Sequence, residues 1–288
     1  MPGSKRFPIR QLHTKTFKSL PGDKPDPVKA TMIKLADVEY KVKENTAEIT
    51  MNRPSVLNAL SKSMFRDLSL AVKNAASDKS VDFITITGAG KAFSAGLDIV
   101  QVADFRRKSE ARQFVYGLVK PFWDTFLSCD KVIIAVVNGP AYGAGAEIAL
   151  FSDFVIASEG AVFAFSGGRV GALCCISGLL GPLVMNGRKV VEMNLAGQAI
   201  TAEEACRLGM INRVVPSDRI GRTTNDLKLE LMKVSPNSNS SFKRIQKSVI
   251  PRKAYLTAYK ELFKTLTSQN FRKGAEAFVK KTRPNYYS

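Results

Sequence analysis

The sequence predicts an α/β architecture in which helices pack on sheets, closed by a mainly helical C-terminal part. Three observations carry that expectation. Apolar runs of strand length alternate with helical apolar spacing between Val38 and Ser158, two glycine-rich turns join strands to helices, and beyond Ala172 the pattern is almost wholly helical.

The elements follow in order. Val38–Val42 and Ala47–Met51 read as strands that end at Asn52-Arg53-Pro54. Leu57, Leu60, Met64, Leu68 and Val72 recur every three or four residues, which predicts a helix. Asp82–Thr87 (DFITIT) reads as a buried strand, followed by the turn Gly88-Ala89-Gly90 and the loop KAFSAGLDI over Lys91–Ile99. A second helix is expected over about Ser109–Ser128, and Val132–Val137 (VIIAVV) is the strongest strand pattern in the chain. The turn Asn138-Gly139-Pro140-Ala141-Tyr142-Gly143-Ala144-Gly145 opens a helix carrying Glu147, and the strand DFVIAS follows. No long polar linker interrupts this pattern. Residues 36–288 are therefore expected to form one domain, with 36–200 as the β-rich core and 201–288 as a mainly helical part.

Composition narrows the function classes. With 288 residues, 45% hydrophobic and 24% charged, the chain has enough apolar surface for a packed core, and its apolar runs fall short of the ~20 residues a membrane helix needs. Four unevenly spaced cysteines make no disulfide framework, which points to a reducing compartment. The one histidine, His13, lies in a polar N-terminal stretch. A Ser-His-Asp triad or a histidine-rich metal site in the body of the fold is thereby excluded, and no metal is expected.

The net charge of +18 sits at the two ends. Residues 1–35 hold eight Lys/Arg against two Asp, residues 240–288 twelve against two Glu, and residues 36–239 net only +2. Residues 1–35 read as a basic segment, either a disordered tail or a targeting sequence, since five Lys/Arg precede residue 21 without a carboxylate. The mitochondrial matrix is expected in the targeting case, and the cytoplasm if residues 1–31 are not a targeting segment, with Met32 as an alternative start. Nucleic acid is not an expected partner, because no recognised binding motif accompanies the C-terminal charge.

Glycines in the two loops let the backbone approach a ligand and leave peptide N–H groups free to donate. Such loops are common as plain turns. Together, KAFSAGLDI and, about forty residues on, AVVNGPAYGAGAEIALFSD (Ala135–Asp153) resemble the crotonase superfamily, the enoyl-CoA hydratases and isomerases. MNRPSVLNAL (Met51–Leu60), LAGQAITAEEACRLGMINRVVP (Leu195–Pro216) and FRKGAEAFVKKTRPNY (Phe271–Tyr286) extend the resemblance from about residue 36 to the C-terminus.

The resemblance implies a spiral of β-β-α turns with a helical C-terminal trimerisation part, acting on an acyl-CoA thioester as a homotrimer or hexamer. No separate cofactor is expected, coenzyme A being part of the substrate. The positions matching the oxyanion-hole donors are the backbone N–H groups of Leu97 and Ala144. Two preorganised amides at a developing negative charge contribute several kcal/mol, roughly 2.7–4 for one donor. Glu147 matches the first of two catalytic glutamates. One helical turn after Ala144 and beside the apolar run IALF, it has the placement of a desolvated acid–base group. Val56, Leu57, Ala59, Ala95, Asp98 and Ile99 match the places that hold adenine and pantetheine, though Asp98 also reads as a loop cap. Arg272, Lys273, Lys280 and Lys281 are candidate partners for the CoA phosphates within a trimer.

The second glutamate is absent. Its counterpart is Gly167, in Phe163-Ala164-Phe165-Ser166-Gly167, and the position where some isomerases carry their acid is Cys175. Cys175 reads as a core thiol, or as a proton donor if its pKa were lowered. A single carboxylate suits a one-base 1,3-proton shift better than hydration, which normally uses two groups. The leading expectation is therefore an enoyl-CoA isomerase of fatty-acid metabolism. An enoyl-CoA hydratase is the alternative, and a non-catalytic crotonase-like protein that binds CoA, RNA or a partner is the third reading.

Overall fold

The computed structural model describes residues 33–287, so the targeting and tail readings of the N-terminal segment fall almost entirely outside the described residues. The strands are β1 (Ile33–Lys34), β2 (Val38–Lys43), β3 (Thr46–Met51), β4 (Phe83–Gly88), β5 (Val132–Val137), β6 (Ala141–Tyr142), β7 (Phe154–Ser158), β8 (Val162–Ala164), β9 (Ala199–Thr201) and β10 (Arg213–Val215). The helices are α1 (Lys62–Ser77), α2 (Ile99–Ala103), α3 (Lys108–Phe114), α4 (Lys120–Ser128), α5 (Ala144–Leu150), α6 (Cys175–Val184), α7 (Gly187–Leu195), α8 (Ala202–Arg207), α9 (Ile220–Leu231), α10 (Pro236–Ser248), α11 (Arg252–Leu266) and α12 (Gln269–Val279).

Seven strands form one sheet in the order β1-β2-β3-β4-β5-β7-β10, and β6-β8-β9 form a second, smaller one. In β2, Val38, Tyr40 and Val42 point into the core while Glu39, Lys41 and Lys43 face outward, the alternation of an antiparallel strand. From β3 onward the pairing in the larger sheet is parallel, with Ile49 opposite Ile86 and Ile84 opposite Ile133, while in the smaller sheet β8 and β9 pair antiparallel. β5 is apolar at every position because both faces of the sheet are covered there. One face packs on the main core. On the other, Phe83, Val132, Ile134 and Ile156 meet Leu227 of α9.

The structure moves several expected boundaries. The helix predicted from Leu57 begins at Lys62, because Leu57 and Asn58 adopt left-handed φ values of 52° and 56°. Asn58 fixes that turn: its Oδ1 accepts from Arg53 N at 2.9 Å, and its Nδ2 donates to the carbonyls of Ala89 and Ala92. The expected Ser109–Ser128 helix is α3 and α4 joined by a five-residue π turn, Val115–Val119. The largely helical reading beyond Ala172 missed β9 and β10, three residues each, too short to impose a period-2 pattern.

The C-terminal helices return to the core. α11 packs on α6, and α12 lies across α2 and the 3-10 turn Ser166–Val170. A Cβ on Gly171 would stand 2.7 Å from Asn270 O, so α12 reaches its seat only because that residue is glycine.

Ser61 caps α1, its Oγ accepting from Met64 N at 2.9 Å. Ser61→Ala is expected to lower stability by about 1 kcal/mol, read from urea unfolding, with the fold retained.

Candidate active site

The two glycine loops are stitched side by side around Ser94, which is fully buried. Ser94 pairs with Ala141 in an isolated parallel bridge and accepts Tyr142 N on its carbonyl at 2.8 Å. Its Oγ donates to Asn58 O at 2.8 Å and accepts Gly96 N at 3.1 Å. Gly145 lies directly against it, since a Cβ there would stand 2.6 Å from Ser94 Cβ. Gly96, at φ 81°, backs onto Tyr142 and Ala144, with an added Cβ falling 3.2 Å from Ala144 N.

This stitching brings the N–H groups of Leu97 and Ala144 together with no competing acceptor. Leu60 N donates to Gly96 O and Asp98 N to Leu60 O, so the bridge to Leu60 uses the peptides on either side of Leu97 and leaves its own N–H free. Ala144 is the first residue of α5, where an amide lacks an intrahelical partner. Among the described residues neither N–H donates to a protein group.

Glu147 lies on the next turn of α5 and is 3% exposed. Its Oε1 accepts from Ile176 N at 2.9 Å and Ser177 N at 2.7 Å, the first turn of α6. Oε2 makes no hydrogen bond within the described residues, yet among those residues no buried side-chain oxygen is left unpartnered, so this atom opens onto the cavity that Glu147 lines. Burial raises the carboxyl's pKa from 4.5 to about 7, outweighing the Ser177 amide, then the Ser177 hydroxyl and the Ile176 amide, all of which favour the charged form.

The cavity, about 710 Å³, is bordered by every candidate named from the main motifs: Leu97, Ala144 and Glu147, together with Val56, Leu57, Ala59, Ala95, Asp98 and Ile99. Val56 and Leu57 are exposed at its mouth, as the ends of a turn rather than a helix. Both oxygens of Asp98 are committed: Oδ2 pairs with Arg53 Nη1 at 2.8 Å, and Oδ1 caps α2 by accepting Gln101 N. Of the four C-terminal cations, only Lys281 lines this cavity. Arg272 and Lys280 line a separate cleft with Arg106, Arg107 and Lys108, and this cavity is not lined by Lys273.

Gly167 also borders the cavity, and a Cβ there would lie 3.1 Å from Cys174 Sγ. Burial first, and then the charge of Glu147, push the Cys175 thiol well above its ordinary range. It is a protonated core group, which removes the option of a lowered pKa. Sequence reasoning passed over Trp123, Leu262, Leu266 and Phe278, which also line the cavity. Phe278 stands inside the quoted C-terminal motif, where the cations drew attention instead. The other three carry only ordinary core spacing.

The chain matches the family described as enoyl-CoA hydratase/isomerase over residues 41–288. It is 29% identical over 242 residues to 2,3-dehydroadipyl-CoA hydratase of Escherichia coli (strain K12), covering 83% of this chain and 93% of that protein. It is 31% identical over 249 residues to carnitinyl-CoA dehydratase of Salmonella typhi, covering 82% and 93%. The solved structure of an enoyl-CoA hydratase from Mycobacterium avium subsp. paratuberculosis K-10 superposes with a TM-score of 0.78 at 24% identity, covering 88% of this chain and 100% of that one, a likeness of fold.

Two outcomes are expected from the site geometry. Gly145→Ala should push the loops apart at Ser94, lowering the melting temperature and reducing kcat by about a hundredfold through misplaced amides. The folded protein holds a proton on Glu147 that the unfolded chain sheds above 4.5, so this carboxyl's stabilising contribution is full below 4.5 and lost as pH rises through about 7. Denaturant titrations should therefore show Glu147→Gln gaining stability relative to the parent as pH passes from below 4.5 to above 7.

Proposed function

The chain belongs to the enoyl-CoA hydratase/isomerase family and has its crotonase fold, and on that premise we propose that it moves the double bond of an enoyl-CoA thioester by a one-base proton shuttle. The carboxylate of Glu147 takes a C2 proton from a 3-enoyl-CoA, and the electrons of that C–H bond pass into a dienolate whose charge rests on the thioester oxygen. The N–H groups of Leu97 and Ala144 hold that oxygen. The same carboxyl then returns the proton at C4 while the carbonyl re-forms, leaving a 2-enoyl-CoA, with no net gain or loss of atoms or electrons.

One observation carries this choice within the family. Among the described residues two carboxylates line the cavity, and Asp98 is committed to Arg53 and Gln101, so of these Glu147 alone has an oxygen free for the substrate. A pKa of about 7 suits a group that must both take and give a proton near neutrality. Val56, Leu57, Ala59, Ala95 and Ile99 are the proposed seat of the CoA moiety, and Lys281 the proposed cation at the mouth. The exposed apolar residues Leu183, Val184, Val191 and Leu195 on α6 and α7 support the expected homo-oligomer.

Hydration is the second reading, supported by the names of the relatives at 29% and 31% identity. It needs a water activated without a second carboxylate.

Incubation with a 3-enoyl-CoA should give the 2-enoyl isomer, and hydration of a 2-enoyl-CoA without any isomerisation would sink the proposal. Activity should rise through a single limb near pH 7, because Glu147 must be ionised to take the proton. Glu147→Gln should lose activity by a factor of at least about a hundred.

A further inference from the structure

The cavity ends differently on its two sides. Trp123 and the neighbouring aromatics back onto solid core: Phe122, Trp123 and Phe126 pack with ring centroids 5.1 to 5.6 Å apart. Nothing behind them can yield without disturbing that cluster. On the other side the wall is Leu173, Cys174 and Cys175, and behind these same residues lies a second pocket of about 570 Å³ between α6 and α11. All three residues line both spaces, so the partition is one residue thick.

The chemistry of the partition is apolar. Cys174 and Cys175 are each 5% exposed. Burial, with the charge of Glu147 adding to it, keeps both thiols protonated. The space behind is a groove with small walls: Gly178 is exposed and a Cβ there would meet nothing within 4 Å, and Ala254 and Ala258 border the groove from α11. Charged groups, Lys253 and Glu261, also border it. The partition also begins α6, whose amides hold Glu147, so its place beside the reacting carbons is fixed.

We propose that Leu173, Cys174 and Cys175 form the end wall of the acyl pocket and set the longest acyl chain this enzyme accepts. The α6/α11 space is a solvent-open groove, and a longer chain enters it once the wall is trimmed. The inference rests on the proposed placement of the acyl group beside Glu147, and it names the substrate class as acyl chains up to a sharp length limit.

A homologous series of straight-chain 3-enoyl-CoAs tests it. Parent kcat/KM should fall by about tenfold or more for each methylene beyond the limit. Leu173→Ala, and separately Cys175→Ala, should raise the ratio of kcat/KM for longer over shorter chains by at least about tenfold. Adding Gly178→Leu to Leu173→Ala fills the rear pocket and should cancel that gain, whereas Gly178→Leu alone leaves the length profile where it was. The two wall variants guard against one failing to fold. A parent profile without a limit, or an unchanged ratio in folded wall variants, would overturn the proposal. The same series as saturated acyl-CoAs, read as Kd by calorimetry, reports the wall without turnover. A length limit in Kd that shifts with Leu173→Ala upholds the inference even where the isomerase reading fails.

Discussion

Ser94 is the constraint on which the site depends. It ties three chain segments at one buried point: the turn ending at Asn58 through its Oγ, the loop from Lys91 through Gly96 N, and the strand at Ala141–Tyr142 through its backbone. A donor aimed at developing charge is effective only if it need not reorganise during reaction. Here the amides of Leu97 and Ala144 are held by neighbours that leave no room to turn. Gly96 and Gly145 make this possible, since a side chain at either position would strike the opposite loop.

The buried carboxylate follows a second balance. Removing Glu147 from water costs enough to raise its pKa, while two amides of α6 recover part of that by bonding Oε1. The compromise leaves Oε2 free and a proton that is exchangeable near neutrality. It also makes α6 part of the site. Any shift of Cys175, Ile176 or Ser177 changes the field at the carboxyl, and so the apolar packing of that helix matters to the chemistry.

The sequence made much of this legible. The strand Val132–Val137 is observed with the bounds its run of β-branched residues predicts, and the nine residues matched from the glycine loops and the turn before α1 border one cavity. What escaped was set by long-range packing. Leu57 carries the apolar spacing of a helix, yet a side-chain bond from Asn58 to the backbone at Ala89 and Ala92 turns the chain there. Leu262 and Leu266 read as ordinary helix core, and only the return of α11 over the cavity makes them its wall. Asp98 reads in the sequence both as a ligand contact and as a loop cap, and the cap is present, with Arg53 holding its other oxygen.

The absence of a second acid is built into the packing and extends beyond one substitution. Gly167 sits on the turn that α12 covers, with Gly171 close against Asn270 and with Tyr286 donating to Arg169 O at 2.9 Å. Cys174 fills the space beside it, so that a side chain at position 167 meets sulfur at 3.1 Å before it reaches the cavity. A side chain there fits tightly against Cys174 and the backbone at Leu173–Cys174, which would have to give by a few tenths of an ångström. The turn, the covering helix and the thiol are therefore packed closely around position 167, so the small residue there belongs to the same arrangement that seats α6 beside Glu147.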